Sequence, residues 1–146
     1  MNLRYGVLGG GSWGTAIVKM LSENNDVINW YVRSDENVSS IKENGKNPKY
    51  LRSINLKMSK INPSSSIIEV VNKSEVLILA IPSPFVDDEL KKIKHLISEK
   101  KIFSALKGVI PESHLIVSEH LNKFYKIPFS QIGIITGPCH AEEVAL

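Results

Sequence analysis

Gly9-Gly10-Gly11-Ser12-Trp13-Gly14 stands between a short apolar stretch at residues 4–8 and a helical stripe of apolar side chains, and it contains G-x-G-x-x-G. A simple strand-to-helix turn needs one glycine, whereas three in this register weaken the helix start. Each has a separate use if the turn receives an anion. Gly9 permits the tight reversal, Gly11 carries no Cβ to hold a phosphate off the backbone, and Gly14 lets helix and strand pack closely. The first amides of the helix have no partner within it and face the incoming group. The pattern therefore reads as the diphosphate grip of a dinucleotide site; the plainer reading is a tight turn with no ligand.

The rest of the chain supplies the frame such a turn requires. Apolar stretches at 4–8, 27–32, 76–81, 102–106 and 132–135 alternate with segments of helical periodicity, the pattern of parallel strands joined by crossover helices. Residues 76–81 show no polar alternation, so this strand is expected to be covered on both faces. Trp13, Ala16, Ile17, Met20 and Leu21 form one helical stripe. Val86, Leu90, Ile93 and Ile97 form another, with Asp87, Asp88 and Glu89 expected in its first turn as partners of the helix dipole. Further helices are predicted at 64–71 and 114–124. Residues 44–60, broken by Gly45 and Pro48, read as a loop with a short strand at 56–58.

With 146 residues, 42% of them hydrophobic and 23% charged, the chain fits one globular α/β domain over 1–146. The longest clean apolar run is of strand length, which excludes a membrane-spanning helix. The first residues lack the form of an export signal, so the expected location is the cytoplasm. The single cysteine, Cys139, excludes an intrachain disulfide and a multi-cysteine zinc site. A net charge of +3 does not call for nucleic acid. His95, His114, His120 and His140 lack zinc-ligand spacing, so no metal is expected. Lys91, Lys92, Lys94, Lys100 and Lys101 read as a solvated basic face. Residues 141–146 open a helix that stops after barely two turns, as if the chain were cut short.

Ligands in open α/β sheets sit beyond the carboxyl ends of the strands, so the residues following each strand are the remaining site candidates. Arg33 ends the second strand, where an acidic residue would bind a free ribose 2′-hydroxyl; an arginine suits a 2′-phosphate or an adenine ring. That favours NADP, while Asp35 keeps NAD open, and Arg33 also reads as a solvated charge. Phe85 reads either as a wall for nicotinamide or ribose or as a helix-start aromatic packed on neighbours. Lys107, before Gly108, reads as a cation for a substrate oxygen or phosphate, or as an exposed lysine. Gly137, ahead of Pro138, Cys139, His140 and Ala141, opens a second glycine turn suited to an anion. Cys139 reads as a small structural residue, since nothing pairs it with a base.

Taken in order, these elements resemble the N-terminal domain of the bacterial NAD(P)-dependent glycerol-3-phosphate dehydrogenases. The segments that carry the resemblance are Gly9 to Ala16, Trp30 with Arg33, Asn47-Pro48-Lys49-Tyr50-Leu51, Ala80-Ile81-Pro82-Ser83, Leu106-Lys107-Gly108, and Gly137-Pro138 with Ala141, Glu143 and Val144. The resemblance implies a Rossmann-like, doubly wound, mostly parallel sheet with helices on both faces. It implies NAD(P) as cofactor and interconversion of dihydroxyacetone phosphate and sn-glycerol 3-phosphate, a step toward phospholipids. Gly9, Gly10, Gly11, Ser12, Trp13, Gly14, Arg33, Phe85, Lys107 and Ala141 are the expected cofactor residues, and Lys107, Gly137 and Cys139 the expected substrate residues. Cys139 stands where the family commonly has a hydroxyl, and Arg52 where its loop commonly continues with proline. The implied proton-transfer lysine and most phosphate contacts belong to a helical C-terminal domain absent from this chain, so no catalytic residue is expected within it and little turnover from it alone. A homodimer is possible for the full-length enzyme. The competing readings are another two-domain reductase, such as a ketopantoate or 3-hydroxyacid enzyme, and a non-catalytic NAD(P)-sensing module.

Overall fold

The computed structural model describes residues 3–24, 27–137 and 140–146. Among them, six strands form one sheet: β1 (Tyr5–Leu8), β2 (Ile28–Tyr31), β3 (Ile61–Ser64), β4 (Val76–Leu79), β5 (Lys101–Ser104) and, after a small hairpin, β8 (Ile132–Ile134). Their order is β3-β2-β1-β4-β5-β8 and every neighbouring pair is parallel. This is the doubly wound arrangement, in which the chain builds outward from β1 to one edge and then from β4 to the other. The hairpin pairs β6 (Val109–Ile110) with β7 (Leu115–Ile116).

Helices α1 (Ser12–Asn24), α2 (Asp35–Asn44) and α6 (Ala141–Ala145) lie on one face of the sheet, and α3 (Ile67–Asn72), α4 (Ser83–Ile93) and α5 (Val117–Tyr125) on the other. The period-2 alternation of the strands sorts their side chains between the two layers. Val7, Trp30 and Ile78 join the α1 layer, while Leu8, Tyr31, Leu77 and Leu79 join the α4 layer. All four residues of β4 are buried, as an apolar run without polar alternation requires.

Several local expectations need correction. The strand expected at 56–58 does not form; the third strand is β3, which accommodates Pro63 because it lies at the sheet edge, where a missing N–H is tolerated. Helix α2 shows no apolar period in the sequence because only Val38 and Ile41 are buried on it. Its ends nonetheless carry clear signals. Ser34 accepts from the Asn37 amide, and Gly45, at φ 63°, closes the helix through its N–H to Ile41. The hairpin takes up Leu115 and Ile116, so the helix expected from 114 begins only at Val117. Met20 departs from its stripe and is 46% exposed.

Asp87, Asp88 and Glu89 do not occupy the first turn of α4, which starts at Ser83. Asp87 and Glu89 are buried instead. The Asp87 carboxylate accepts from Tyr125 Oη at 2.7 Å and His120 Nε2 at 2.9 Å, and pairs with Lys91 at 2.9 Å. With Nε2–H donated to Asp87, His120 Nδ1 is left to accept from Ser113 Oγ at 2.9 Å, so the cluster pins the hairpin and α5 to α4. Glu89 accepts from Tyr31 Oη at 3.0 Å and from Lys92, so part of the lysine face is engaged in ion pairs. Burial and the Glu89 carboxylate push the Tyr31 hydroxyl up to about 12.

Burial acts to raise the Asp87 pKa, but the bonds from Lys91, Tyr125 and His120 outweigh it and bring the carboxyl from 3.8 down to about 2. A depressed folded value means that Asp87 stabilises the fold above its ordinary pKa and that this contribution is lost as pH falls toward 2. Asp87→Asn is expected to flatten the acid limb of stability against pH. At neutral pH it should cost about 1–3 kcal/mol in urea unfolding, because it weakens bonds to a buried network. An unchanged acid limb would remove Asp87 from the account.

Candidate functional site

At the centre of the sheet the carboxyl ends of β1 and β4 lie side by side, and the chain leaves them toward opposite faces, into α1 and α4. Such a switch point leaves a crevice between the two departing connections. A cleft of about 490 Å³ opens here. It is lined by Gly11, Ser12 and Trp13, by the segments 80–83 and 105–107 that follow β4 and β5, and by His140, Ala141 and Glu142 at the start of α6.

The glycines of the turn differ in what they accommodate. Gly9 has φ +134°, and a Cβ there would lie 2.4 Å from the Ala80 carbonyl oxygen. A Cβ on Gly14 would fall 2.1 Å from the Gly9 carbonyl oxygen, so these two glycines are demanded by the packing of α1 against β1 and β4. A Cβ on Gly10 would meet Val32 at 3.0 Å. Gly11 is different, because nothing lies within 4 Å of where its Cβ would be. The space in front of Gly11 opens onto the cleft and is clear of other groups.

Side chains from distant segments hold the turn. Trp30 Nε1, buried in β2, donates to the Gly9 carbonyl at 2.9 Å. The buried Asn47 donates from Nδ2 to the Gly10 carbonyl at 3.0 Å and to Thr15 Oγ1 at 2.8 Å. Thr15 Oγ1 in turn donates to the Gly11 carbonyl at 2.8 Å. Asn47 Oδ1 accepts from the amides of Lys49 and Tyr50. These three residues had no assigned role in the sequence reading. Their hydrogen bonds span up to 37 positions, a separation that leaves no local pattern in the sequence.

Of the predicted cofactor residues, Gly11, Ser12, Trp13, Lys107 and Ala141 line the cleft, with Gly9, Gly10 and Gly14 in the turn behind it. Lys107 is exposed, and its ammonium makes no ion pair among the described residues. Its carbonyl accepts from Ser83 Oγ at 2.7 Å, which ties the loops after β4 and β5 together. Arg33 follows β2 as an exposed side chain, also outside any ion pair among the described residues, whereas Asp35 takes a hydrogen bond from Ser65 and sits in the first turn of α2. Phe85 is 52% exposed in the first turn of α4 and is not part of the cleft lining. Gly137 has φ +130° with open space around it, also outside the lining. Cys139 lies outside the described residues. His140, given no role from sequence, lines the cleft. Among the described residues no three His, Cys, Asp or Glu side chains converge as a metal site, and no helix is long and apolar enough to cross a membrane. A larger hollow of about 600 Å³ beside α5 shares none of the cleft residues.

Residues 4–146 match the family model described as NAD-dependent glycerol-3-phosphate dehydrogenase N-terminus. The chain is 33% identical over 139 residues to the glycerol-3-phosphate dehydrogenase [NAD(P)+] of Ectopseudomonas mendocina, covering 95% of this chain and 40% of that protein. It is 35% identical over 145 residues to that of Halothermothrix orenii, covering 99% and 41%. It thus spans about two fifths of the curated relatives it matches. The glycerol-3-phosphate dehydrogenase structure from Plasmodium falciparum superposes with a TM-score of 0.86 at 27% identity, over 99% of this chain and 43% of that one.

The contrast between the glycines is testable without a ligand. Gly14→Ala should destabilise the chain by roughly 1–3 kcal/mol, because its methyl group meets backbone that cannot yield. Gly11→Ala should stay within about 0.5 kcal/mol of wild type. Chemical denaturation of the two variants checks both, and equal losses would contradict the geometry.

Proposed function

The chain belongs to the family of NAD-dependent glycerol-3-phosphate dehydrogenase N-termini, and on that premise we propose that it is the NAD(P)-binding part of an oxidoreductase interconverting dihydroxyacetone phosphate and sn-glycerol 3-phosphate. The observation that carries the reading is the open space at Gly11, bordered by helix-start amides and facing the switch-point cleft. The dinucleotide, when bound, supplies or takes up the hydride. The residues of this chain bind and orient it. The amides of the glycine turn grip the diphosphate, with Gly9 and Gly14 allowing α1 to approach. Ser12, Trp13 and Ala141 border the rest of the cofactor, and Lys107 reaches toward both cofactor and substrate oxygen. Phe85 is assigned to the cofactor and Gly137 and Cys139 to the substrate, on the resemblance alone.

Arg33 gives the site its lean toward NADP. It is exposed and outside any ion pair among the described residues, while the nearby Asp35 is already engaged by Ser65. A free guanidinium suits a 2′-phosphate better than an occupied carboxylate suits a hydroxyl. In this reading residues 1–146 form one domain. The resemblance assigns the proton-transfer lysine and most phosphate contacts to a helical C-terminal domain, which must meet this one for the reacting groups to come together. The full-length enzyme would act in the cytoplasm, with a homodimer open to it, would feed phospholipid synthesis, and would need neither nucleic acid nor membrane insertion.

Isothermal titration of the 146-residue chain should show binding of NADH and NADPH, with little or no turnover of dihydroxyacetone phosphate. Arg33→Ala should weaken NADPH far more than NADH, and Gly11→Ala should weaken both. Failure of wild type to bind either nucleotide would refute the cofactor reading. Normal dehydrogenase activity would refute the division of labour between domains, and an equal small loss for both nucleotides would assign Arg33 to stacking or to the surface.

A further inference from the structure

We propose that Trp30, Asn47 and Thr15 are positioning residues that turn three successive peptide groups of the glycine turn so that their N–H bonds face the cleft. The proposal rests on the dinucleotide reading above and deepens it. In a planar trans peptide the carbonyl and the following N–H point in opposite directions, so fixing one fixes the other. The Gly9 carbonyl is held by Trp30, the Gly10 carbonyl by Asn47, and the Gly11 carbonyl by Thr15 twice, through its hydroxyl at 2.8 Å and its backbone N–H at 2.9 Å, with the hydroxyl also tying Gly11 to Asn47. The N–H groups that follow them belong to Gly10, Gly11 and Ser12. Neither these amides nor that of Trp13 has a hydrogen-bond partner among the described residues.

Each clamp is hard to release. Trp30 is fully buried, and turning the Gly9 peptide would strand its indole N–H. Asn47 is 3% exposed and uses all of its common bonding positions, two donated by Nδ2 and two accepted by Oδ1. Rotating its amide would set NH₂ against the Lys49 and Tyr50 amides. Thr15 is 1% exposed and both accepts from Asn47 and donates to Gly11. Glycine peptides are otherwise the freest in the chain, and turning them toward an anion only after it arrives would weaken binding. The clamp settles that orientation during folding.

The test uses the 146-residue chain and titration calorimetry with NADH and NADPH at a temperature well below the melting transition. Thr15→Val and Asn47→Ala are each expected to weaken both nucleotides by tenfold or more and by the same factor, with one site per chain retained. Thr15→Ser, which keeps the hydroxyl, should bind as wild type does. Inorganic pyrophosphate should displace NADH from wild type and from Thr15→Ser at lower concentration than from Thr15→Val. Dissociation constants within twofold of wild type for folded Thr15→Val would overturn the proposal, as would a loss seen only as a lower fraction of binding-competent protein. If Asn47→Ala fails to fold, the Thr15 pair decides alone. If wild type binds neither nucleotide, the dinucleotide reading fails first and takes this proposal with it.

Discussion

The carbonyl oxygen of Gly9 is the point on which the site is built. It accepts the buried indole N–H of Trp30 and occupies the position that a Cβ on Gly14 would need. Helix α1 can therefore start against the end of β1, with its first amides beside the cleft. A wider spacing would carry those amides away from the crevice between β1 and β4. The close approach also aligns α1 to bury Ala16, Ile17 and Val18 on the sheet. The same few ångströms thus serve both core packing and the placement of the unpaired helix-start amides at the cleft.

The parts of this arrangement that depend on local sequence were legible in it. The glycine turn, the strand at β4 and the stripe along α1 each announce themselves within a few residues, and each formed near its expected place. What was hidden depends on partners far along the chain or on position within the sheet. Pro63 argues against a strand until β3 is known to be an edge. Two buried residues on α2 are too few to show a period, although Ser34 and Gly45 mark its ends. Asp87 looks like a dipole partner until α4 is seen to begin at Ser83, and its bonds to His120 and Tyr125 cross more than 30 residues. Asn47 sits in a stretch read only as a loop, and its reach to Gly10 carries no local signature.

The two faces of the sheet are built by different means. Around α1 and α6 the core is mostly apolar, apart from the polar bridge of Asn47 and Thr15 under the turn and Ser22, which bonds back to its own helix. Around α4 and α5 the apolar core is closed by Asp87, His120, Tyr125 and Ser113 on one side and by Tyr31 and Glu89 on the other. Buried polar clusters are directional where apolar contacts are not, so they set the angle at which α5 and the hairpin meet α4. The face that carries α1 and α6 thus leans on shape, while the opposite face leans on hydrogen-bond geometry.

The glycine turn is held by an indole, a carboxamide and a hydroxyl, all of them electrically neutral. Its hold on an anion would come from short-range dipoles in direct contact, which mobile ions in the solvent attenuate little. Arg33, exposed at the end of β2, would act on a ligand through a full charge open to that attenuation. Raising ionic strength should therefore erode the distinction between phosphorylated and unphosphorylated ribose sooner than it erodes the grip on the bridge between the two nucleotides.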